Sequence, residues 1–238
     1  MSIAVVTGAS GGIGAEIAKR LAQDGFSVAL IYNRNAEKAQ KTADEITLSG
    51  GSAKTYKCDV RDSSEITSAI EAIERDFGEI SVLVNNAGIS MRALFVDLEL
   101  DVIRRLMDVN FWGTVYCTKF ALPYILKTKG SLVGIISVAG FLGLPGRTGY
   151  SASKFAVRGF LNTLRVENLK KGLHVLVAAP GFTASNIRKT AFCSPAVSRA
   201  SFCFKSIVFH SLPSAALSKR PHVQGSFFPK LISILSAG

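Results

Sequence analysis

The sequence predicts an α/β fold in which helices cover both faces of a doubly wound parallel sheet. Short apolar segments alternate with amphipathic segments of ten or more residues, which is typical of strand–helix–strand units. The apolar segments are nearly uninterrupted, as expected for strands that are buried on both faces. A length of 238 residues, of which 48% are hydrophobic, suits one such domain.

The first half of the chain contains four predicted strands and three predicted helices. Residues 3–6 form a short buried strand, and the glycine-rich residues 7–14 form the turn that follows it. Apolar residues then recur at helical spacing and predict a helix that ends at Gly25. The same criteria predict further strands at 28–32, 53–58 and 81–84, alternating with helices at 37–48 and 64–77.

The second half continues this alternation as far as a sixth strand. A helical stretch at 100–107 leads into a long helix that includes 110–127. Residues 132–137 and 174–178 are the fifth and sixth predicted strands, with a helix at 150–169 between them. This order is typical of a Rossmann sheet in three layers, αβα, whose ligands bind beyond the carboxyl ends of the strands.

The alternation ends at about Thr190. Residues 190–238 contain ten serines, six phenylalanines and no acidic residue. We therefore predict a domain at 1–189 and an atypical basic, Ser/Phe-rich tail at 190–238, for which disorder is one expectation. Two explanations stay open: a truncated domain with a foreign or frame-shifted end, and a genuine basic tail for an acidic partner or a membrane surface.

Charge is distributed unevenly along the chain. The net charge is +11, yet all 17 acidic residues and 19 of the 28 basic residues lie in 1–167, so the domain itself is nearly balanced. This distribution argues against a uniformly basic domain, and no nucleic-acid partner is predicted. The apolar stretch 132–144 is too short to span a membrane, and no targeting segment precedes the first strand. We expect a cytoplasmic protein.

The cysteines and histidines lack the spacing of metal ligands. The three histidines lie far apart, and no C-x-x-C pair occurs among Cys58, Cys117, Cys193 and Cys203. We predict no metal site, and we expect the thiols to be buried or incidental groups in a reducing compartment.

The turn after the first strand has the context of a dinucleotide-binding site. It follows a strand, opens a helix and has the spacing G-x-x-x-G-x-G. Glycines let the backbone approach a pyrophosphate, and the helix N-terminus supplies free N–H groups and a positive potential. The predicted contacts are Gly8, Ser10, Gly11, Gly12, Ile13 and Gly14.

The end of the second strand bears on the choice between NAD(H) and NADP(H). An acidic residue there would bind a ribose 2′-hydroxyl and repel a 2′-phosphate. This chain instead has Tyr32, Asn33 and Arg34. Because Arg34 can pair with a phosphate, NADP(H) is favoured over NAD(H). The alternative is that Arg34 is a solvated loop residue.

Two further strand ends complete the predicted cofactor site. After the third strand, Asp59 can accept a hydrogen bond from an adenine amino group, with Cys58 and Val60 beside it; an acid that only starts the next helix is the alternative. After the fourth strand, Asn85 and Asn86 can tie neighbouring strands together. The small residues that leave room for a cofactor are Ala87 and Gly88.

Tyr150 and Lys154 lie four residues apart in a predicted helix, so they share one face. An ammonium group beside a phenol favours the phenolate, and we expect Lys154 to lower the pKa of Tyr150 from its usual value of about 10. Ser137, thirteen residues before Tyr150, ends the fifth predicted strand. A tyrosine with a lowered pKa suits general acid–base catalysis near neutral pH.

These motifs together resemble the short-chain dehydrogenase/reductase family. The matching patterns are T-G-x-x-x-G-x-G at 7–14, N-N-A-G at 85–88 and S…Y-x-x-x-K at Ser137, Tyr150 and Lys154. The resemblance covers residues 1 to about 189. Over 1–90 it is to 3-oxoacyl-carrier-protein reductases, and over 91–190 to reductases of broader or unassigned substrate range. It adds Asn110 to the catalytic set, and to the cofactor site it adds Pro180, Gly181, Phe182 and Thr183.

The resemblance implies hydride transfer between NADP(H) and a carbonyl or secondary alcohol. It assigns proton transfer to Tyr150, and it assigns tuning of that pKa and binding of the nicotinamide ribose to Lys154. Ser137 would contact the substrate oxygen, and Asn110 would hold a water that links Lys154 to solvent.

The resemblance leaves several possibilities for the substrate and for the oligomeric state. The expected substrate is a 3-oxoacyl group, with hydroxysteroids, sugars and small ketones as alternatives. A non-catalytic NADP-binding protein and a product whose tail prevents a competent site also stay open. The family implies a homodimer or homotetramer, built through late elements (a lid helix, another long helix and a seventh strand) whose pattern is absent from the sequence at 190–238.

Overall fold

Parallel strands form the central sheet of the protein. The computed structural model describes residues 2–181, 187 and 191–193. Its strands in chain order are β1 (Ile3–Thr7), β2 (Ser27–Tyr32), β3 (Ser52–Lys57), β4 (Ile80–Asn85), β5 (Met91–Arg92), β6 (Ser131–Ile135), β7 (His174–Ala178) and β8 (Phe192–Cys193). Within the described residues, six of them form one parallel sheet in the order β3-β2-β1-β4-β6-β7, and β5 pairs with β8 in a second, parallel sheet.

Helices connect the strands of the large sheet. They are α1 (Gly12–Gln23), α2 (Ala36–Leu48), α3 (Ser63–Phe77), α4 (Leu100–Leu106), α5 (Gly113–Lys127) and α6 (Thr148–Glu167). A π-helical segment, Met107–Trp112, joins α4 to α5. Among the helices in the described ranges, none is long and apolar enough to cross a membrane.

The helices cover both faces of the large sheet. Ile3 and Val5 of β1 pack on the face that α3, α5 and α6 cover, while Ala4 and Val6 pack with α1 and α2 on the opposite face. This alternation follows from the two-residue period of a strand. All five residues of β1 are buried. The predicted doubly wound sheet in three αβα layers is therefore confirmed.

The strand order reverses beside β1. From β1 the chain moves outward to β2 and β3, and it then returns to β4 on the other side of β1 before it continues to β6 and β7. A crevice opens at the carboxyl ends of the strands where the order reverses, and ligands of such sheets bind there. The ends of β1 and β4 are thus where the predicted cofactor motifs meet.

The predicted elements of the domain are confirmed, most with bounds that differ by one or two residues. The fifth predicted strand, 132–137, is observed as Ser131–Ile135, and the helix predicted at 150–169 ends at Glu167. The sequence did not predict the π-helical segment or the pairing of β5 with β8. A strand of two residues carries no periodicity, and its partner lies about a hundred residues away along the chain.

The described part of the chain continues past the predicted boundary at residue 189. Phe192 N donates to Ser90 O (3.0 Å), and β8 pairs with β5. Apart from residues 191–193, the predicted tail at 190–238 lies outside the described residues. Within the described residues β7 is an edge strand, and Arg165 of α6 donates to the edge carbonyl of Val175 through Nε (3.2 Å) and Nη2 (3.0 Å).

Candidate active site

The glycines of the turn between β1 and α1 permit close backbone packing. Gly8 has a φ of +66°, and a Cβ there would lie 2.9 Å from Ala87 Cα. A Cβ on Gly14 would lie 2.5 Å from both Asn86 Nδ2 and Gly8 O. These two positions therefore require glycine because of the approach of β4 to the turn.

The N-terminus of α1 is open. Gly11 is its N-cap and offers no side-chain cap, and a Cβ on Gly11 would meet nothing within 4 Å. The first N–H groups of a helix have no partners within the helix, so this end is suited to an anion. Gly12 has a φ of +56°, and the side chains of Ser10 and Ile13 are half-buried beside it.

The segment after β4 is tied to β1 by hydrogen bonds. Thr7 Oγ1 accepts from Asn86 N and Ala87 N (both 3.0 Å), and Asn86 Nδ2 donates to Thr7 O (2.9 Å) and Gly8 O (3.2 Å). The expectation that an asparagine here ties neighbouring strands is confirmed for Asn86. Asn85 instead donates to Thr118 Oγ1 of α5 (3.0 Å).

The ends of β2 and β3 lie side by side. Cys58 N donates to Tyr32 O (2.7 Å), and Asn33 hydrogen-bonds to the Asp59 carboxylate. Arg34 is exposed, and no acidic side chain pairs with it within the described ranges. Burial raises the pKa of the Cys58 thiol to about 12, which leaves the thiol protonated and unreactive at neutral pH.

Asp59 is bound by Arg61, which was not among the predicted site residues. Arg61 donates from Nε and Nη2 to the Asp59 carboxylate, with the shortest contact at 2.6 Å. Hydrogen bonds from Arg61 hold the pKa of Asp59 below its usual value, and Asn33 contributes in the same direction. Val60, between the two, is buried and packs beneath Gly113.

Ser137 and Tyr150 meet at the carboxyl end of β6. A hydrogen bond joins their side chains, and Ser137 Oγ also accepts from Ala139 N (3.2 Å). The 3₁₀ turn after Ser137 and the N-terminus of α6 bring them together, although thirteen residues separate them in sequence. The two side chains expected to contact the substrate oxygen therefore lie within hydrogen-bonding distance of each other.

The expectation that Lys154 lowers the pKa of Tyr150 is wrong for this structure. Burial raises the pKa of Tyr150, and the hydrogen bond from Ser137 and the charge of Arg147 oppose the rise. The Lys154 ammonium lies 5.9 Å from the Tyr150 ring centre and donates instead to Ile135 O (3.0 Å). Desolvation of the phenol thus outweighs the nearby charges.

Lys154 is the most deeply buried charged group at the site, with an exposed fraction of 5%. Burial lowers its pKa to about 8, so it still carries its charge for most of the time at neutral pH. A Cβ on Gly88 would lie 3.5 Å from Lys154 Nζ. The lysine therefore lies directly beneath the segment that follows β4.

Asn110 holds the site together from the π-helical segment. Its Oδ1 accepts from Ile89 N (2.8 Å), and its Nδ2 donates to Ile89 O (3.1 Å) and to Ser153 Oγ (2.9 Å). Ser153 Oγ in turn donates to Tyr150 O (2.8 Å). Asn110 thereby links the segment after β4 to the turn of α6 that carries Tyr150. Such π-helical segments are common at functional sites.

A second arginine missed by the sequence analysis lies beside Tyr150. Arg147 Nη1 donates to Ser90 Oγ (2.5 Å) and Met91 O (2.6 Å), and its guanidinium lies 5.9 Å from the Tyr150 ring centre. Its position three residues before Tyr150, on the same helical face, was the available sequence signal. Arg147 thus connects β5 to the start of α6.

The last predicted contacts follow β7. Pro180 is buried and Gly181 is half-buried, and both lie at the same edge of the sheet as the other motifs. Phe182 and Thr183 lie outside the described residues.

The residues present fit a dinucleotide. The turn at Gly8 and Gly14 leaves no room for side chains, and the α1 N-terminus beside Gly11 is open and uncapped. The Arg34 side chain is exposed at the adjoining end of β2. A pyrophosphate at the helix N-terminus and a ribose near the end of β2 would match this arrangement.

Comparisons with known proteins agree with this geometry. A family model described as short chain dehydrogenase matches residues 2–194. A 3-oxoacyl-[acyl-carrier-protein] reductase of Synechocystis sp. is 37% identical over 194 residues, which are 81% of this chain and 78% of the relative. Human dehydrogenase/reductase SDR family member 7 is 38% identical over 190 residues, which are 76% of this chain and 52% of the relative, so the chain spans about half of that protein.

Solved structures show the same fold. A dehydrogenase/reductase from Sinorhizobium meliloti 1021 superposes with a TM-score of 0.76 at 36% identity, covering 78% of this chain and 74% of that one. An alcohol dehydrogenase from Thermococcus sibiricus, complexed with 5-hydroxy-NADP, has a TM-score of 0.76 at 27% identity and covers 82% of both chains. Because the family match spans most of the chain and includes every described motif, this protein belongs to the short chain dehydrogenase family and is an oxidoreductase.

Proposed function

We propose that the protein transfers hydride between NADP(H) and a carbonyl or secondary alcohol, with reduction of a 3-oxoacyl or related ketone as its main reaction. The observation that carries this proposal is the hydrogen bond between Ser137 and Tyr150, with the Lys154 ammonium beneath the segment that follows β4. A proton donor, a substrate-oxygen ligand and a buried cation thus adjoin the candidate dinucleotide cradle.

The side chains support a division of roles. When bound, NADP(H) supplies the hydride. Tyr150, whose pKa is raised by burial, keeps its proton at neutral pH and is therefore suited to donate it to a carbonyl oxygen during reduction. Ser137 donates a hydrogen bond where negative charge develops on that oxygen. Lys154 is assigned to the nicotinamide ribose, and Asn110 positions the backbone of Tyr150 through Ser153.

NADP(H) is proposed over NAD(H) because of the residues that follow β2. Arg34 is exposed at that position, where an acidic residue would exclude a 2′-phosphate. The Thermococcus sibiricus enzyme, whose structure contains 5-hydroxy-NADP, shares the fold at 27% identity. Initial rates with NADPH and NADH on the same ketone test this preference.

The substrate class rests on the relatives. Two reductases named for 3-oxoacyl groups, from Synechocystis sp. and Staphylococcus aureus, are 37% and 35% identical to this chain. A panel of 3-oxoacyl thioesters, hydroxysteroids, sugars and small ketones distinguishes this class from the alternatives. Tight NADPH binding without turnover on the whole panel would favour a non-catalytic NADP-binding protein.

Replacement of Tyr150 tests the catalytic assignment. We expect Tyr150→Phe to lower kcat for NADPH-dependent ketone reduction by about 10²–10⁴-fold, because the proton donor is lost while the ring is kept. NADPH binding, measured by fluorescence titration, should change little. Tyr116→Phe is the matched control, since Tyr116 of α5 stacks on Trp112 of the π-helical segment rather than facing Ser137. Full activity of Tyr150→Phe would show that the catalytic assignment is wrong.

We also propose that the protein forms a homodimer or homotetramer. Its cytoplasmic location stays a prediction. Trp112 and Phe155 are exposed to 44% and 38%, which leaves apolar surface at the π-helical segment and on α6. Analytical ultracentrifugation of the full chain at micromolar concentration tests the assembly, and a monomer would contradict it.

A further inference from the structure

An acidic residue next to the end of β2 comes from the segment that follows the neighbouring strand β3. β2 and β3 are paired up to Tyr32 and Lys57, and Cys58 N continues the pairing by donating to Tyr32 O (2.7 Å). Asp59 follows directly, and Asn33 hydrogen-bonds to its carboxylate. The carboxylate therefore lies against the residue that precedes Arg34.

An unpaired carboxylate at this place would oppose a phosphate. Acidic residues at the end of β2 select the ribose 2′-hydroxyl because a negative charge repels a 2′-phosphate. Asp59 is not alone: Glu65 Oε2 accepts from Asp59 N (2.8 Å), and Asp62 caps the N-terminus of α3. The side chains of Glu65 and Asp62 thus add negative charge close to Asp59.

The positive charge of Arg61 compensates the negative charge of Asp59. Its Nε lies 3.1 Å from both carboxylate oxygens of Asp59, and its Nη2 lies 2.6 Å from Oδ2. Arg61 N also donates to Oδ1 (3.0 Å), so Asp59 is bound by both the side chain and the backbone of one residue. The contact is at the surface, because the Arg61 side chain is 44% exposed and that of Asp59 19%. Asp108 is a further acidic residue whose charge acts on Arg61.

We propose that Arg61 is a specificity-determining residue that neutralises Asp59 and so permits a 2′-phosphate to bind beside Arg34. The proposal rests on the NADP(H) preference proposed above. In this view the cofactor preference depends on two arginines: Arg34 attracts the phosphate, and Arg61 removes the repulsion that Asp59 would otherwise exert. Bidentate pairing suits this role because the guanidinium fork holds both carboxylate oxygens.

Nucleotide binding tests this proposal without a carbonyl substrate. Isothermal titration calorimetry of the full chain would compare adenosine 2′,5′-bisphosphate with adenosine 5′-monophosphate. We expect Arg61→Gln to weaken binding of the bisphosphate by about tenfold and to leave binding of the monophosphate within about twofold, because only the former carries the repelled charge. Arg61→Lys should keep most of the affinity for the bisphosphate. Arg75→Gln, an exposed arginine near the end of α3, is the matched control and should change neither.

A double replacement separates neutralisation from direct contact. In the Arg61→Gln background, Asp59→Asn removes the carboxylate charge, and we expect it to restore binding of the bisphosphate to within about threefold of the original chain. Failure to restore that binding, or an unchanged ratio of the two affinities in Arg61→Gln, would overturn the role of Arg61. If the original chain itself binds both nucleotides equally, the proposed NADP(H) preference is wrong as well, so the two failures are distinguishable. Circular dichroism confirms that each variant is folded.

Discussion

Lys154 carries a buried ammonium group whose charged form is costly before any cofactor binds. Its pKa is lowered from 10.5 to about 8 by burial, and its described hydrogen-bond acceptor is Ile135 O. The unfolded chain therefore binds this proton more tightly than the folded chain. Burial of Lys154 therefore lowers the free energy of unfolding. This destabilising contribution is fully present below pH 8, and it disappears as the pH rises from 8 towards 10.5. A residue proposed to act at the active site thus destabilises the fold at neutral pH.

Replacement of this lysine should stabilise the protein without cofactor. We expect Lys154→Met to raise the free energy of unfolding at pH 7 by about 2 kcal/mol, since the relief of desolvation exceeds the loss of one hydrogen bond. The gain should shrink at pH 9, where part of the lysine in the original chain is already neutral. Urea denaturation at both pH values measures it.

The exposed Lys119 provides the control for this experiment. Lys119→Met should change the free energy of unfolding by less than about 0.5 kcal/mol at either pH. A loss of stability in Lys154→Met at pH 7, or a gain that does not depend on pH, would contradict the assigned cost of burial.

At the scale of elements, the turn between β1 and α1 uses glycine for two different reasons. Gly14 lies against Asn86 and Gly8, so packing of the protein itself excludes a side chain. Gly11 faces open space in an extended backbone conformation that any residue can adopt, so packing places no such limit on it. The open space beside Gly11 is where the proposed pyrophosphate would approach the N-terminus of α1.

Alanine at these two positions should separate stability from binding. We expect Gly14→Ala to lower the free energy of unfolding by about 2–3 kcal/mol, because its Cβ would overlap Asn86 Nδ2 and Gly8 O. Gly11→Ala should cost about 1 kcal/mol or less, yet weaken NADPH binding by about tenfold or more through loss of close backbone approach. Thermal unfolding and fluorescence titration measure the two effects.

Two outcomes would contradict the separate roles of Gly11 in cofactor binding and Gly14 in packing. If Gly11→Ala binds NADPH like the original chain, the open space is not the pyrophosphate site. If Gly14→Ala is as stable as the original chain, the close approach of Asn86 does not limit the turn.

At the scale of the whole molecule, Phe192, which follows β7 in sequence, packs beside the candidate active site. Phe192 and Tyr150 both pack against the cluster of Met91, Ala93 and Leu106, and the Arg105 guanidinium lies 5.1 Å from the centre of the Phe192 ring. Phe192 also donates its N–H to Ser90 O. Phe192, just beyond the predicted domain boundary at 189, thus contacts the same cluster as Tyr150.

Chains of two lengths should show where the domain ends. We expect a chain that ends at Lys189 to lose about 1–2 kcal/mol of stability and several-fold in kcat/KM, because the apolar contacts of Phe192 with the cluster that also supports Tyr150 are removed. A chain that ends at Ser194 should match the full chain in both properties. Equal behaviour of the two shortened chains would show that β8 is dispensable.

Much of the fold and most of the site were predictable because their signals are local. Strand and helix periodicity extends over five to fifteen residues, and the motifs at Gly8, Asn86 and Tyr150 each occupy a few adjacent positions. Pairing between β5 and β8 and the contacts of Arg147 with Ser90 and Met91 were not predictable in this way. They depend on which loops the sheet order places next to each other.

The sequence by itself determined the order of strands and helices, the family, and the candidate catalytic and cofactor residues. Each of these follows from residue types and their spacing along the chain. Only the tertiary structure decided the electrostatics of those residues. Lys154 and Tyr150 share a helical face as predicted, yet burial raises the pKa of Tyr150 and lowers that of Lys154. Tyr150 and Lys154 are desolvated by parts of the chain that are distant in sequence, so the spacing of residues within one helix cannot predict this effect.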